Sequence, residues 1–403
     1  GAVATDLLTV NNGHHYVAPQ GFNGNDNAGM YANFGQRPFT YTPPTEYKTL
    51  CTKNLPNPGI DIPTDHFHTI LYSGTGNTTQ NITGVGFQPD WVWIKNRSAS
   101  TAHYVLDSVR GLKDLHTDST TTEGDSTGRF NSFDSDGFQV EHSGGGNGFT
   151  NGSGQNYVAW NWKGGGSASS NSDGDITSQV SANTSAGFSI VGYTGNGTSN
   201  SDVTIGHGLG VTPAMVIIKK RDSGGSEGQW GVLHQKLTSG KNIFLQTYTG
   251  EGTYSNYIKS MQSTTFTINL SDASAGRYNR SGNNYIAYVF AEVEGFSKFG
   301  SYVGNGNSNG AFIYLGFRPA FFLLKAKTSD ISWYMYDNKR DPDNYVDKEL
   351  NPHNTQSEAS GHDLDFVSNG VKMRSSDSSL NYSNYEYIYW AFAESPFKYS
   401  RAR

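Results

Sequence analysis

The chain has 403 residues, 34% hydrophobic and 16% charged, and 13% of them are aromatic. Chains that stay disordered are poor in aromatics, so this one is expected to fold, and its length allows two to four domains. A net charge of −6 without a basic run argues against nucleic acid as a partner. No apolar stretch approaches the roughly 20 residues that membrane insertion needs. The one cysteine, Cys51, rules out an intrachain disulfide.

The first 58 residues stand apart. Asn33-Phe34-Gly35-Gln36-Arg37-Pro38-Phe39, followed by Tyr41-Thr42-Pro43-Pro44, resembles the closing strand of a SPRY-type, concanavalin-like jelly roll. Residues 1–58 are therefore expected to be the C-terminal remnant of such a β-sandwich. The start at Gly1 instead of Met suits a processed or incomplete chain. The alternative is that these residues complete a sheet supplied by another chain.

From there the sequence repeats itself. Segments 67–98, 188–223 and 296–329 share one grammar: an aromatic strand, a Gly-Asn-Gly-like turn, a polar strand, a proline, then a hydrophobic strand ending in Lys95, Lys219 or Lys325. Each repeat also closes alike, on Tyr157, Trp160 and Trp162, on Tyr285, Tyr288 and Phe290, or on Tyr387, Trp390 and Phe392. The expected organisation is β repeat 1 at 66–164, a Gly/Ser/Asn linker at 165–186, β repeat 2 at 187–298 and β repeat 3 at 299–403. A repeat of about 100 residues suits a small β-sandwich, not a solenoid rung.

The local chemistry predicts strands. Trp91-Val92-Trp93-Ile94 and Met215-Val216-Ile217-Ile218 are apolar throughout, as strands buried on both faces are. Pro89, Pro213 and Pro319 should sit just before such strands, where a missing N–H breaks no ladder. Gly195-Asn196-Gly197 and Gly304-Asn305-Gly306 suit tight hairpins. The closing Tyr157-Val158-Ala159-Trp160 alternates like a half-buried strand. The fold class expected is all-β: tandem β-sandwich, jelly-roll-like repeats strung end to end.

Catalytic and metal chemistry finds little footing. Gly224-Gly225-Ser226-Glu227-Gly228 matches the hydrolase elbow in letters, but it lies in a loop between strands. His66 and His68 have a chelating spacing without an evident third ligand. Asp134-Ser135-Asp136-Gly137 and Asp341-Pro342-Asp343-Asn344 lack the distal Glu of a calcium loop and read as turns, leaving Ca²⁺ the one cofactor to look for. Glu292 and Glu394 recur at matching positions, which points to backbone capping or pairing with Arg. A surface for sugars is expected at Trp333, Tyr334, Tyr336, Asp337 and Asn338, where aromatics and hydrogen-bonding groups cluster.

Gly316-Phe317-Arg318-Pro319-Ala320-Phe321, Tyr336-Asp337-Asn338-Lys339-Arg340 and Ala391-Phe392-Ala393-Glu394-Ser395-Pro396-Phe397 resemble a repeat module of virion proteins from marine tailed phages, cyanophages and podoviruses among them. There the module is tail-fibre-like and often follows a SPRY or lectin-like domain. The resemblance implies a virion protein assembled in the host cytoplasm and exposed on the particle, with no enzymatic role and no catalytic residue. It implies other virion proteins as partners, a homo-oligomer with a trimer favoured, and a host surface glycan or protein as ligand. The alternatives are an architectural virion protein, as capsid decoration or tail connector, and, more remotely, a polysaccharide depolymerase.

Overall fold

The computed structural model describes residues 57–142, 148–222, 224–270 and 276–399, with short stretches before them at 9–10, 14–15, 38, 42 and 52–55. The chain divides into two compact units, 1–55 and 56–403. In the first, β1 (Thr9–Val10) pairs antiparallel with β2 (His14–His15). The expected SPRY-like segment lies outside the described residues except for Pro38 and Thr42, and Cys51 lies outside them too.

The second unit is built of antiparallel strands. The first repeat contributes β3 (Phe67–Ser73), β4 (Gln80–Thr83), β5 (Trp91–Asn96), β6 (Tyr104–Asp107), β7 (Gly111–Leu115), β8 (Gly124–Asp125), β9 (Phe130–Asp134), β10 (Gly137–Val140) and β11 (Asn156–Trp162). The second adds β12 (Ser169–Asn171), β13 (Ser178–Asn183), β14 (Phe188–Thr194), β15 (Ser201–Gly206), β16 (Met215–Lys220), β17 (Gly231–His234), β18 (Ile243–Phe244), β19 (Asn256–Met261), β20 (Thr265–Leu270) and β21 (Asn284–Phe290). The third comprises β22 (Ser297–Val303), β23 (Phe312–Tyr314), β24 (Phe317–Ala326), β25 (Trp333–Asp337), β26 (Val346–Glu349), β27 (Ala359–Val367), β28 (Gly370–Met373) and β29 (Glu386–Pro396).

Each repeat forms the same two sheets. The larger have the orders β3-β11-β5-β6-β7-β8, β12-β13-β14-β21-β16-β17-β18 and β22-β29-β24-β25. The smaller are β4-β10-β9, β15-β20-β19 and β23-β28-β27-β26. In each repeat the two sheets share a core: Ile82, Phe130 and Phe138 meet Val92, Ile94 and Leu106 in the first. Val203, Ile205 and Phe266 meet Val216 and Ile218 in the second. Ile313, Phe366 and Val371 meet Phe322 and Leu324 in the third.

The expectation of sandwiches strung end to end is corrected by a fourth core. Trp91, Trp93, Trp160 and Trp162 of the first repeat, Met215, Ile217, Tyr288 and Phe290 of the second, and Phe321, Leu323, Trp390 and Phe392 of the third form one cluster. Each large sheet is thus buried twice, against its own small sheet and against the other two large sheets. Period-2 alternation divides the residues: on β5, Trp91 and Trp93 turn to the shared core and Val92 and Ile94 to the repeat's own. The closing strands follow suit and are not half-buried: Trp160 and Trp162 enter the shared core, while Tyr157 and Ala159 face inward within their repeat. A fully buried large apolar side chain contributes roughly 1.5–3 kcal/mol, so the shared cluster is a major term in holding the repeats together.

Three smaller expectations also change. The 165–186 segment is no linker, because β13 pairs with β14 along Ser178–Asn183 and Ile176 and Val180 enter the second core. The Gly-Asn-Gly turns do not make hairpins, since β14 and β15, like β22 and β23, lie in different sheets. Their second glycines, Gly197 and Gly306, do have φ of 77° and 66°. A buried asparagine clamps each turn: Asn279 Oδ1 accepts Asn196 N–H at 2.9 Å, and Asn381 Oδ1 accepts Asn305 N–H at 3.0 Å. Finally, Pro89 and Pro213 do precede strands, but Pro319 lies inside β24 at a register shift. There it sits at a bulge opposite Ala393 of β29, a position where sheets tolerate proline, and β25 does not reach it.

Candidate functional site

The surface expected at Trp333, Tyr334, Tyr336, Asp337 and Asn338 is interior. Their exposures are 2%, 8%, 0%, 0% and 9%. Strand β25 belongs to a large sheet and is therefore covered on both faces. Trp333 enters the shared core, and Tyr334 and Tyr336 enter the third repeat's own. Composition alone could not reveal this, because the covering partner comes from other repeats.

What these residues do is close a ring. The indole N–H of Trp333 donates to the carbonyls of Phe244 and Thr247 in the second repeat, at 3.1 Å each. Trp230, at the matching position, donates to His116 and Ser119 of the first repeat. His103 completes the set: its Nδ1 accepts Trp93 Nε1–H, so its Nε2 carries the proton donated to Asn351 O of the third repeat at 2.9 Å. The backbone N–H of Glu123, Glu251 and Glu358 likewise donates to the carbonyl of Arg221, Lys327 and Arg97. Repeat 1 thus joins 2, 2 joins 3, and 3 joins 1, with equivalent groups at each seam.

The seams are not equally furnished. Asp107 and Arg110 form a fully buried pair at 2.6 Å, and Tyr288 of the second repeat donates to Asp107 at 2.8 Å. Burial opposes the charge of Arg110, but Asp107 outweighs it and holds its pKa above the ordinary value. Asp337 and Arg340 repeat the arrangement, with Trp160 Nε1–H donating to Asp337 at 3.1 Å. At the 2–3 seam the pair is replaced by His234 and Leu237. His234 bonds the Tyr389 carbonyl at 3.1 Å, and Trp390 Nε1 has no hydrogen-bond partner. Arg97–Glu358 and Arg221–Glu123 are two-pronged ion pairs, whereas Lys327 pairs with Glu386 of its own repeat and crosses the seam only to the Lys236 carbonyl.

Three buried lysines mark the same positions. Lys95 Nζ donates to the carbonyls of Asn96 and, across the seam, Thr355; Lys219 Nζ reaches Thr120 and Thr121. Lys325 reaches only its own repeat, at Ala326 and Ser329. Burial brings Lys95 down to about 8 and Lys219 and Lys325 down to about 7. A second titratable cluster lies in the third repeat, where His362 bridges Glu349 at 2.6 Å and Asp377 at 3.4 Å and is held above its usual pKa, chiefly by Glu349.

The other sequence candidates resolve into structure. His66 meets Asn183, and His68 meets the Val85 carbonyl; burial lowers both. Among the described residues no group of three His, Cys, Asp or Glu converges as a metal site would require. Asp136 accepts the N–H groups of Gly84 and Gly86, about fifty positions away, and Asp341 those of Asp347 and Lys348, so each carboxylate ties two stretches of backbone together and not its own turn. Residues 225–227 form a 3₁₀ turn whose Glu227 pairs with Lys220 and Arg280, so no strand-to-helix elbow exists there. Glu292 caps Phe299 N–H and Glu394 pairs with Arg318, both as expected.

Among the described residues, clefts open at two of the seams. One, of about 540 Å³, is lined by His66, Asp90, Lys163, Gly164 and Asn183. Asp90 there ties down the glycine loop, accepting Gly164 N–H at 2.8 Å. The other, of about 290 Å³, opens beside Lys241, Glu251, Lys327 and Asp330, at the seam that lacks its arginine–glutamate pair. Sequence reasoning also missed Phe312 and Tyr314, which are exposed on β23. The signal was present: the matching strands β4 and β15 carry Asn81 and Thr83, or Thr204 and Gly206.

No curated protein and no solved structure matches the chain. One family model does, across residues 62–396, which takes in all three repeats. The chain therefore belongs to the family described as a domain of unknown function, DUF7483.

Proposed function

We propose that this chain is a structural protein of a bacteriophage particle, of the tail-fibre or spike type, contributing to adhesion to the host surface. The observation that supports the reading best is the closed ring. The aspartates of the two buried Asp–Arg pairs and the seam tryptophans are engaged in joining repeats. That arrangement makes a stiff block suited to bearing load and presenting surfaces. Adhesion by such a block would draw on many weak contacts multiplied by copy number, which is why a homo-oligomer, a trimer foremost, belongs to the reading.

An architectural role, as capsid decoration or tail connector, is favoured by one feature: a ring of three near-equivalent lobes fits a threefold setting. Electron microscopy of particles labelled with antibody against this chain separates the two. Label at the tips of appendages is expected; label spread over the capsid shell selects the architectural role, and absence from particles overturns both.

A further inference from the structure

The third repeat turns aromatic rings to solvent where its sisters do not. Phe312 and Tyr314 flank the inward-facing Ile313 on edge strand β23 and are 50% and 59% exposed. They lie two residues apart on one face, roughly 6.7 Å along the strand. The register sets Phe312 opposite Lys372 and Tyr314 opposite Gly370 on β28. A Cβ on Gly370 would lie 2.0 Å from the Ile313 carbonyl, so the close approach of β23 requires glycine there, as at Gly137 against Ile82, and the bare position also lies beside the Phe312 ring. On β27, Asp365 faces Lys372, and its carboxylate pairs with Arg374. Lys372 Nζ donates to the Gly310 carbonyl and Asp365 is buried under Arg374, so the charged groups the face offers to solvent beside the two rings are Arg374 and Asp363, one donor and one acceptor whose formal charges cancel.

We propose that this face binds a neutral oligosaccharide, the rings taking the apolar C–H faces of successive sugars and the flanking polar groups their hydroxyls. The inference rests on the adhesion reading above. Three observations select this occupant. The rings are exposed, so folding does not require them. A sugar hydroxyl both donates and accepts, as this charge-balanced set does. Two rings surrounded by charged groups fall far short of the roughly 800 Å² per partner of a standard protein interface, whose centre is depleted of charge.

The test is binding of the purified full chain to an array of neutral and acidic saccharides, with Phe312→Asn/Tyr314→Thr as the variant. That variant copies the residues of the first repeat, so its melting temperature should match the wild type. Tyr314→Ala alone serves as a second variant. Retention of neutral saccharides that weakens tenfold or more in the double variant is the expected result. Equal binding by the variants, or retention of acidic saccharides only, overturns the proposal. If wild-type protein adheres to host cells yet retains no neutral saccharide, this face is refuted while the adhesion reading stands. Saccharide binding lost in the variant of a protein absent from particles upholds the face and refutes the adhesion reading.

Discussion

Replacing Asp107 with Ala tests whether the ring depends on its buried ion pairs. The change leaves the Arg110 guanidinium, whose side chain has 0% exposure, with the neutral carbonyls of Lys113 and Val105, the Tyr288 hydroxyl, and Glu123 at 3.7 Å. It also removes the acceptor of the Tyr288 hydroxyl across the seam. Removing one partner of a buried pair costs about 3–5 kcal/mol. Since Arg110 still donates to the carbonyls of Lys113 and Val105, the lower end of that range is expected. With an unfolding entropy of about 2.1 cal/mol/K per residue over the unit 56–403, a loss of about 3 kcal/mol lowers the melting temperature by roughly 4 °C. The protein holds its own control, because the second repeat has His234 and Leu237 at the two positions. Asp107→His/Arg110→Leu should therefore recover most of the loss, whereas either change alone should not. Urea and thermal unfolding of wild type, Asp107→His, Arg110→Leu and the double variant gives the coupling energy, with Asp107→Ala measured beside them. A loss below about 1 kcal/mol for Asp107→Ala, or additive single effects, would refute the reasoning.

His234 should impose acid sensitivity. Burial lowers it from 6.5 to about 3, so the unfolded chain takes up its proton first. Its stabilising contribution is whole above pH 6.5 and declines as pH falls toward 3; His234→Gln should flatten that part of a stability–pH curve. His362 has the opposite sign, being raised by Glu349, so its contribution is whole below pH 6.5 and is lost as pH rises through its folded value. The gap in melting temperature between wild type and His362→Gln should narrow as pH rises from 6 to 9. Asn381→Ala strips buried partners from Asn305 and from the carbonyls of Asn307 and Ser375, at a cost of about 1–3 kcal/mol. Hydrogen exchange should quicken first in residues 304–309; protection equal to wild type there would count against the clamp. Gly137→Ala would place a Cβ 1.9 Å from the Ile82 carbonyl at φ of 149°, so β4 should part from β10 and the melting temperature should fall. An unchanged melt would show that the strands yield easily.

The repeats were legible because their grammar is written in adjacent residues. Gly195-Asn196-Gly197, the prolines and the closing aromatics recur in order, and apolar runs such as Met215-Val216-Ile217-Ile218 announced strands buried on both faces. What covers the second face was not legible. Trp91 stacks near Tyr288 at 4.5 Å between ring centres, and no local pattern couples residues so far apart. The same blindness misplaced Trp333 to Asn338, which look like a polar-aromatic surface until the other repeats are set against them. In 165–186 the serines and asparagines hid a strand because only Ile176, Val180 and Ala182 carry its inward face, too sparse a signal beside the glycines.

The way the ring closes also sets an order of events during synthesis. The bond from Arg97 to Glu358 spans 261 positions, and the strand bearing Trp390 and Phe392 is the last of the described strands. Until it emerges from the ribosome, the tryptophan-rich faces of the earlier sheets have no complete cover. Long-range pairing of this kind is slow to form, and its unfinished stages are prone to aggregate. Premature termination anywhere in the third repeat should therefore yield insoluble protein and not a shortened but working one. The shared core thereby acts as a check that all three repeats have been made.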